Sequence, residues 1–184
     1  MQTNWYSLPE QVTFARDSYK INGDFRNVLK ILRVLQGQYP AYIRWKIAME
    51  LFYSPSLSTE DYEAGLAYFL RFVNPGEAGG QGRKLLDWDA DAPAIIAGVN
   101  AVAGQEVRSL PFVHWWTFLG WFHAIAPGEL SMRVSIREKL QKGKKLEPWE
   151  QEYYRENKAT VDLRPGYSAE ELAEKDRLNA LLGQ

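Results

Sequence analysis

Apolar residues recur along most of this chain at steps of three and four, the spacing that lines one face of an α-helix. Phe25, Val28, Leu29, Leu32 and Leu35 form the first such stripe, with Asp24 placed to cap it and Gly37 to stop it. Pro40 opens a second helix carrying Ile43, Ile47 and Leu51 four apart. It ends before Ser54-Pro55, because the residue preceding a proline resists helical geometry. Ser58-Thr59-Glu60-Asp61 resembles a capping box with Asp in place of the usual Glu. The helix behind it presents Tyr62, Leu66, Phe69 and Val73, and Asn74-Pro75-Gly76 ends it.

Four glycines fall within the eight residues 76–83, which reads as a mobile loop. Leu85 to Asp91 then leads into a stripe of Ile95, Ile96, Val99 and Val102, closed by Gly104. Ser109-Leu110-Pro111 starts an aromatic helix that runs to Ala126 and is broken by Pro127-Gly128. Leu130, Val134 and Leu140 line another helix ending near Gly143. Pro148, well suited to a first helical position, opens the segment from Trp149 to Asn157. Val161 to Tyr167 reads as a linker. A capping box, Ser168-Ala169-Glu170-Glu171, follows, with Leu172, Leu178, Leu181 and Leu182 behind it.

No alternating run is long enough to predict a strand, and no internal repeat is evident. The pattern predicts an all-α fold: a compact single-domain bundle of about six to eight helices around a central aromatic helix over 110–126. Residues 1–158 form the helical domain. Residues 159–184 form a linker and short C-terminal helix, mobile or waiting for a partner.

Composition supports a packed core. The 184 residues are 46% hydrophobic and 14% aromatic, and each large aromatic side chain buries roughly 150–250 Å². Twenty-two basic residues face 23 acidic ones, unlike a strongly basic nucleic-acid binder. With no cysteine there is no disulfide scaffold, thiolate metal site or cysteine nucleophile, which fits a reducing cytosol. The first 30 residues lack the apolar run of a signal peptide. The stretch from Leu110 to Ala126 holds two histidines and is rich in Trp, so it reads as a buried helix sooner than a membrane span.

Candidate chemistry is sparse. Asp87-Trp88-Asp89-Ala90-Asp91 could begin a calcium loop, but such a loop needs glycine at its sixth place and glutamate at its twelfth. Ala92 and Gly98 stand there, so helix capping is the better reading. His114 and His123 are nine residues apart, about 13.5 Å along one helix, too far to share a metal ion. His114 reads as a packed histidine sooner than a general base. No catalytic, cofactor or metal residue is therefore assigned, and an enzyme is not expected. Arg133, Arg137, Lys139, Lys142, Lys144 and Lys145 form a basic stretch that could contact phosphates. The acids behind it, Glu147, Glu150, Glu152 and Glu156, favour pairing of two helices and make nucleic acid the less favoured partner.

Trp115, Trp116, Phe118 and Trp121 point in several directions around one helix. Either some are exposed as anchors for a partner, or the helix is central and buried all round, the favoured reading.

Five segments together resemble the "gp fifteen" family of long-tailed (siphovirus) bacteriophages. They are Tyr19-Lys20-Ile21-Asn22-Gly23-Asp24-Phe25-Arg26; Tyr68-Phe69-Leu70-Arg71-Phe72; Leu86-Asp87-Trp88-Asp89-Ala90-Asp91; His114-Trp115-Trp116-Thr117-Phe118; and Ser135-Ile136-Arg137-Glu138-Lys139 with the helix from Trp149 to Tyr154. They occur in the family's order over residues 5–158. The glycine-rich stretch 76–83 and the tail after Lys158 depart from the pattern.

The family's gene lies between those for the tail tube and the tape measure. The resemblance therefore implies a tail assembly chaperone that binds the tape-measure protein in the bacterial host cytoplasm before the tube polymerises, and that self-associates. It supplies no catalytic residues. The alternatives are a structural tail or head–tail connector subunit of the virion, and a small nucleic-acid-binding regulator.

Overall fold

The computed structural model describes residues 7–74 and 85–163, and the chain divides into two compact units. One unit comprises Met1–Gly82 with Pro93–Ala126, and the other Arg83–Ala92 with Pro127–Gln184.

The first unit opens with strands the periodicity did not predict, so the fold is mostly helical and not all-α. Strand β1 (Gln11–Phe14) and strand β2 (Asp17–Ile21) form a hairpin. Strand β3 (Tyr53–Ser54) pairs with the other side of β2, giving a three-stranded antiparallel sheet in the order β1-β2-β3. The hairpin turn, Ala15-Arg16, holds Ala15 at a φ of 45° and lacks the Asn-Gly or Asp-Gly signal that usually announces such turns. Only Tyr19 and Ile21 of β2 are buried, so the alternation spans too few residues to stand out.

Helix α1 (Phe25–Leu35) begins where Asp24 accepts a hydrogen bond from the Arg26 N–H, as the sequence predicted. Helix α2 (Ala41–Phe52) returns alongside it. Here the expected stripe is displaced: Ala48, Met49 and Phe52 are the buried residues, while Ile43, Ile47 and Leu51 are half-buried. Helix α2 is apolar on several sides, so periodicity alone could not choose the face.

Helix α3 (Tyr62–Val73) buries Tyr68, Phe69, Phe72 and Val73. Its predicted capping box forms in part. Ser58 Oγ accepts the Asp61 N–H, but the buried Asp61 carboxylate takes the Tyr19 hydroxyl at 2.8 Å and so ties the sheet to α3.

Helix α4 (Ala92–Ala103) buries Ile95 and Val99 and is followed by Gly104 at φ 70°. A short 3-10 turn (Val107–Ser109) precedes the aromatic helix α5, which spans Trp115–His123 and not 110–126. Pro111 lies ahead of this helix. Residues 112–114 run extended beside the start of α1, with Phe25 N–H donating to Val113 O and Trp115 N–H to Gly23 O. Phe25 and Phe118 stack with centroids 4.5 Å apart, and Phe52 meets Phe69 and Phe72 edge-on at 4.9 Å. Burying each such side chain contributes roughly 1.5–3 kcal/mol.

The second unit holds helix α6 (Glu129–Gln141), helix α7 (Pro148–Glu156) and the short helix α8 (Lys158–Val161). Ile136, Leu146 and Val161 form its apolar core, with Met132, Tyr153 and Tyr154 packed against them. Val161 was expected in a linker, yet it is fully buried. The capping box at 168–171 and the leucines beyond it lie outside the described residues, as does the whole glycine-rich stretch 76–83.

Candidate functional site

The aromatic helix was the first candidate site. Trp115 and Phe118 are buried and stacked on each other at 5.8 Å, so neither is available to a partner. Trp115 Nε1–H donates to Val73 O at 3.0 Å and Trp116 Nε1–H to Phe72 O at 2.9 Å, so both indoles tie α5 to the end of α3. Trp116 and Trp121 are half-buried. An indole N–H needs such an acceptor once its ring is buried. These bonds give the Trp pair a folding role.

His114 caps the same helix. The Trp116 N–H donates to Nδ1 at 3.1 Å, which puts the proton on Nε2, 3.3 Å from the Pro9 carbonyl oxygen. Burial pushes the ring pKa below its ordinary value, opposed by the Pro9 contact. This is the packed histidine the sequence suggested, with both nitrogens engaged.

The basic stretch comes apart in the structure. Arg133 and Arg137, members of the stretch that could contact phosphates, are buried, and so is Asp91. Arg137 spends all five of its N–H donors. Its Nη1 and Nη2 reach Asp91 at 2.7 and 2.9 Å, and its remaining donors reach the carbonyls of Val161, Leu85 and Thr160 at 2.7 to 3.0 Å. Asp91 Oδ2 also accepts the Asp87 N–H at 3.0 Å. Arg133 Nη1 lies 3.7 Å from Asp91 Oδ1, and its Nη2 pairs with Glu129. A buried carboxylate demands this much pairing. The expected stripe of Leu130, Val134 and Leu140 is accordingly not the inward face of α6; Arg133, Ile136 and Arg137 are.

The acidic cluster divides by role. Asp87 Oδ1 accepts the N–H groups of Asp89 and Ala90, closing a turn before α4, while Asp91 belongs to the ion cluster. Among the described residues no three His, Asp or Glu side chains converge on a point where a metal ion could sit. No described helix is long and apolar enough to cross a membrane.

The lysines stay outside. Lys142 pairs with Glu138, and Lys144 and Lys145 are exposed on the connection between α6 and α7. Lys139 Nζ holds both oxygens of Glu150 at 2.7 Å, the helix pairing the charge pattern predicted. That contact, with the Glu147 N–H, holds the Glu150 carboxyl below its ordinary pKa. The sequence reading missed one feature of this corner: Trp149, at the start of α7, is 56% exposed. Its signal was available, because the Trp sits one residue after the helix-opening Pro148, outside any apolar stripe.

No family model, curated protein or solved structure matches the chain.

Proposed function

We propose that the chain is a protein-binding assembly factor, and specifically a phage tail assembly chaperone whose client is the tape-measure protein. The observation that carries the binding role is where the aromatic side chains lie. The aromatics of α3 and α5 are largely consumed by the core, yet Tyr39, Tyr42, Phe112 and Trp149 are 64, 74, 56 and 56% exposed. Large exposed aromatics are favoured anchors at protein interfaces. The client itself is inferred from the ordered resemblance of the five segments to the siphovirus family. A tape measure presents long apolar helical stripes until the tube encloses it, and helices of that kind dock by seating those stripes on another protein's apolar surface.

Mass spectrometry of purified virions tests this reading. A chaperone acts during assembly and leaves, so the chain is expected in infected-cell lysate and absent from particles. Stoichiometric amounts in mature virions would instead favour a structural tail or connector subunit.

A further inference from the structure

We infer that the outer edge of β1 pairs with the same edge of a second copy of the chain, joining two three-stranded sheets into one. This contact goes beyond the proposed function and does not depend on the tape-measure client.

The main chain makes the edge. The register sets Val12 opposite Tyr19 and Phe14 opposite Asp17, and the Ile21 N–H donates to Glu10 O at 2.7 Å. Backbone N–H and C=O groups alternate sides along a strand, so Glu10, Val12 and Phe14 turn theirs toward β2, and Gln11 and Thr13 turn theirs outward. β1 stands at the end of the sheet order, and among the described residues no main-chain group meets Gln11 or Thr13 on that side. Edges are commonly blunted by a lysine, a proline or a bulge, and Gln11-Val12-Thr13-Phe14 holds none of them.

Unpaired donors and acceptors in this alternation call for a strand, and the sequence suits its own copy. With the two strands antiparallel about a two-fold axis at Val12, Gln11 of each copy faces Thr13 of the other, and each such pair exchanges both of its backbone bonds. Sliding to the next register in either direction draws in Pro9, which has no N–H, or Ala15, which stands in the hairpin turn. Val12 then meets Val12 of the second copy in the closer, non-hydrogen-bonded kind of pair. Both are half-buried, on the sheet face where Phe14 packs against Tyr19 and Tyr53.

The same register makes the ends complementary in charge. Glu10 falls opposite Phe14 of the second copy and diagonal to that copy's Arg16, within reach of a long side chain. Glu10 and Arg16 are both exposed, and within one chain they lie about 15 Å or more apart, too far to pair. The other charges of the hairpin, Asp17 and Lys20, stand on β2, on the far side of β1 from the second copy.

Analytical ultracentrifugation of the full chain tests the contact, over about 10 μM to 1 mM because so short an edge makes a small, weak interface. Wild type is expected to pass from monomer to dimer across that range and to stop there, since a two-fold contact closes on itself. Thr13→Pro removes an outward N–H and leaves the bonds to β2 in place, as prolines on edge strands do. It should weaken dimerisation at least about tenfold, with the melting temperature unchanged. Glu10→Arg and Arg16→Glu should each weaken it about fivefold at low salt. An equal mixture of those two variants should regain wild-type affinity, because in the mixed dimer every Glu faces an Arg. A chain that stays monomeric throughout, whether its edge is bare or taken by residues 1–6 of the same molecule, overturns the inference. So does a dimer that Thr13→Pro leaves intact, a mixture no tighter than its separate variants, or growth beyond the dimer. If Thr13→Pro does not fold, the charge variants and their mixture decide.

Discussion

Asp91 has no exposed surface and meets Arg137 through two hydrogen bonds, so removing the carboxylate strands Arg137, and removing Arg137 leaves Asp91 only the Asp87 N–H and Arg133 at 3.7 Å. Arg137→Met is expected to cost about 3–5 kcal/mol in urea denaturation, and pairing it with Asp91→Leu should recover most of that loss. Additive losses from the two changes would contradict the pairing. Glycines give a second contrast. Gly104 stands at φ 70°, where a side chain is strained, whereas Gly120 lies within α5 with open space at its Cβ position. Gly104→Ala should destabilise by about 1 kcal/mol and Gly120→Ala should stabilise by a similar amount, because alanine is the better helix former. Equal signs in the two unfolding curves would refute that reading of the backbone.

At the scale of elements, α5 depends on an uncharged His114. The folded-state pKa is depressed by burial, so the folded protein binds the proton less readily than the unfolded chain. The resulting stability is complete above a pH of about 6.5 and declines as pH falls below it. His114→Asn keeps a side-chain acceptor for the Trp116 N–H and should remove this part of the pH dependence. Unfolding curves that fall equally in wild type and variant over that window would rule the mechanism out.

The helices of this fold were legible because caps and stops such as Asp24, Gly104 and Pro148 act locally. The strands were not, since the pairing of Lys20 and Ile21 with Ser54 and Tyr53 is non-local. Nor was the inward face of α6 read correctly. Arg133 and Arg137 do share one helical arc with Ile136, which was a usable sign. Their burial, however, depends on a carboxylate more than 40 residues away.

The whole chain comprises two units, and the Asp91 cluster belongs to the second. There it joins Leu85, Thr160 and Val161 through Arg137. Hydrogen exchange on Arg137→Met should therefore show protection lost in α6 and α8 while the amides of β1 and β2 keep theirs, because local opening follows the packing of each unit. The proposed binding role rests on the exposed aromatics, and a tape-measure client is its most specific form. Co-expression tests it directly, with the tagged chain and the tape-measure protein produced together and captured through the tag. The tape-measure protein should be soluble and retained by the chain, and insoluble when expressed alone. A tape measure that stays insoluble, or that passes through the column unbound, would contradict the account.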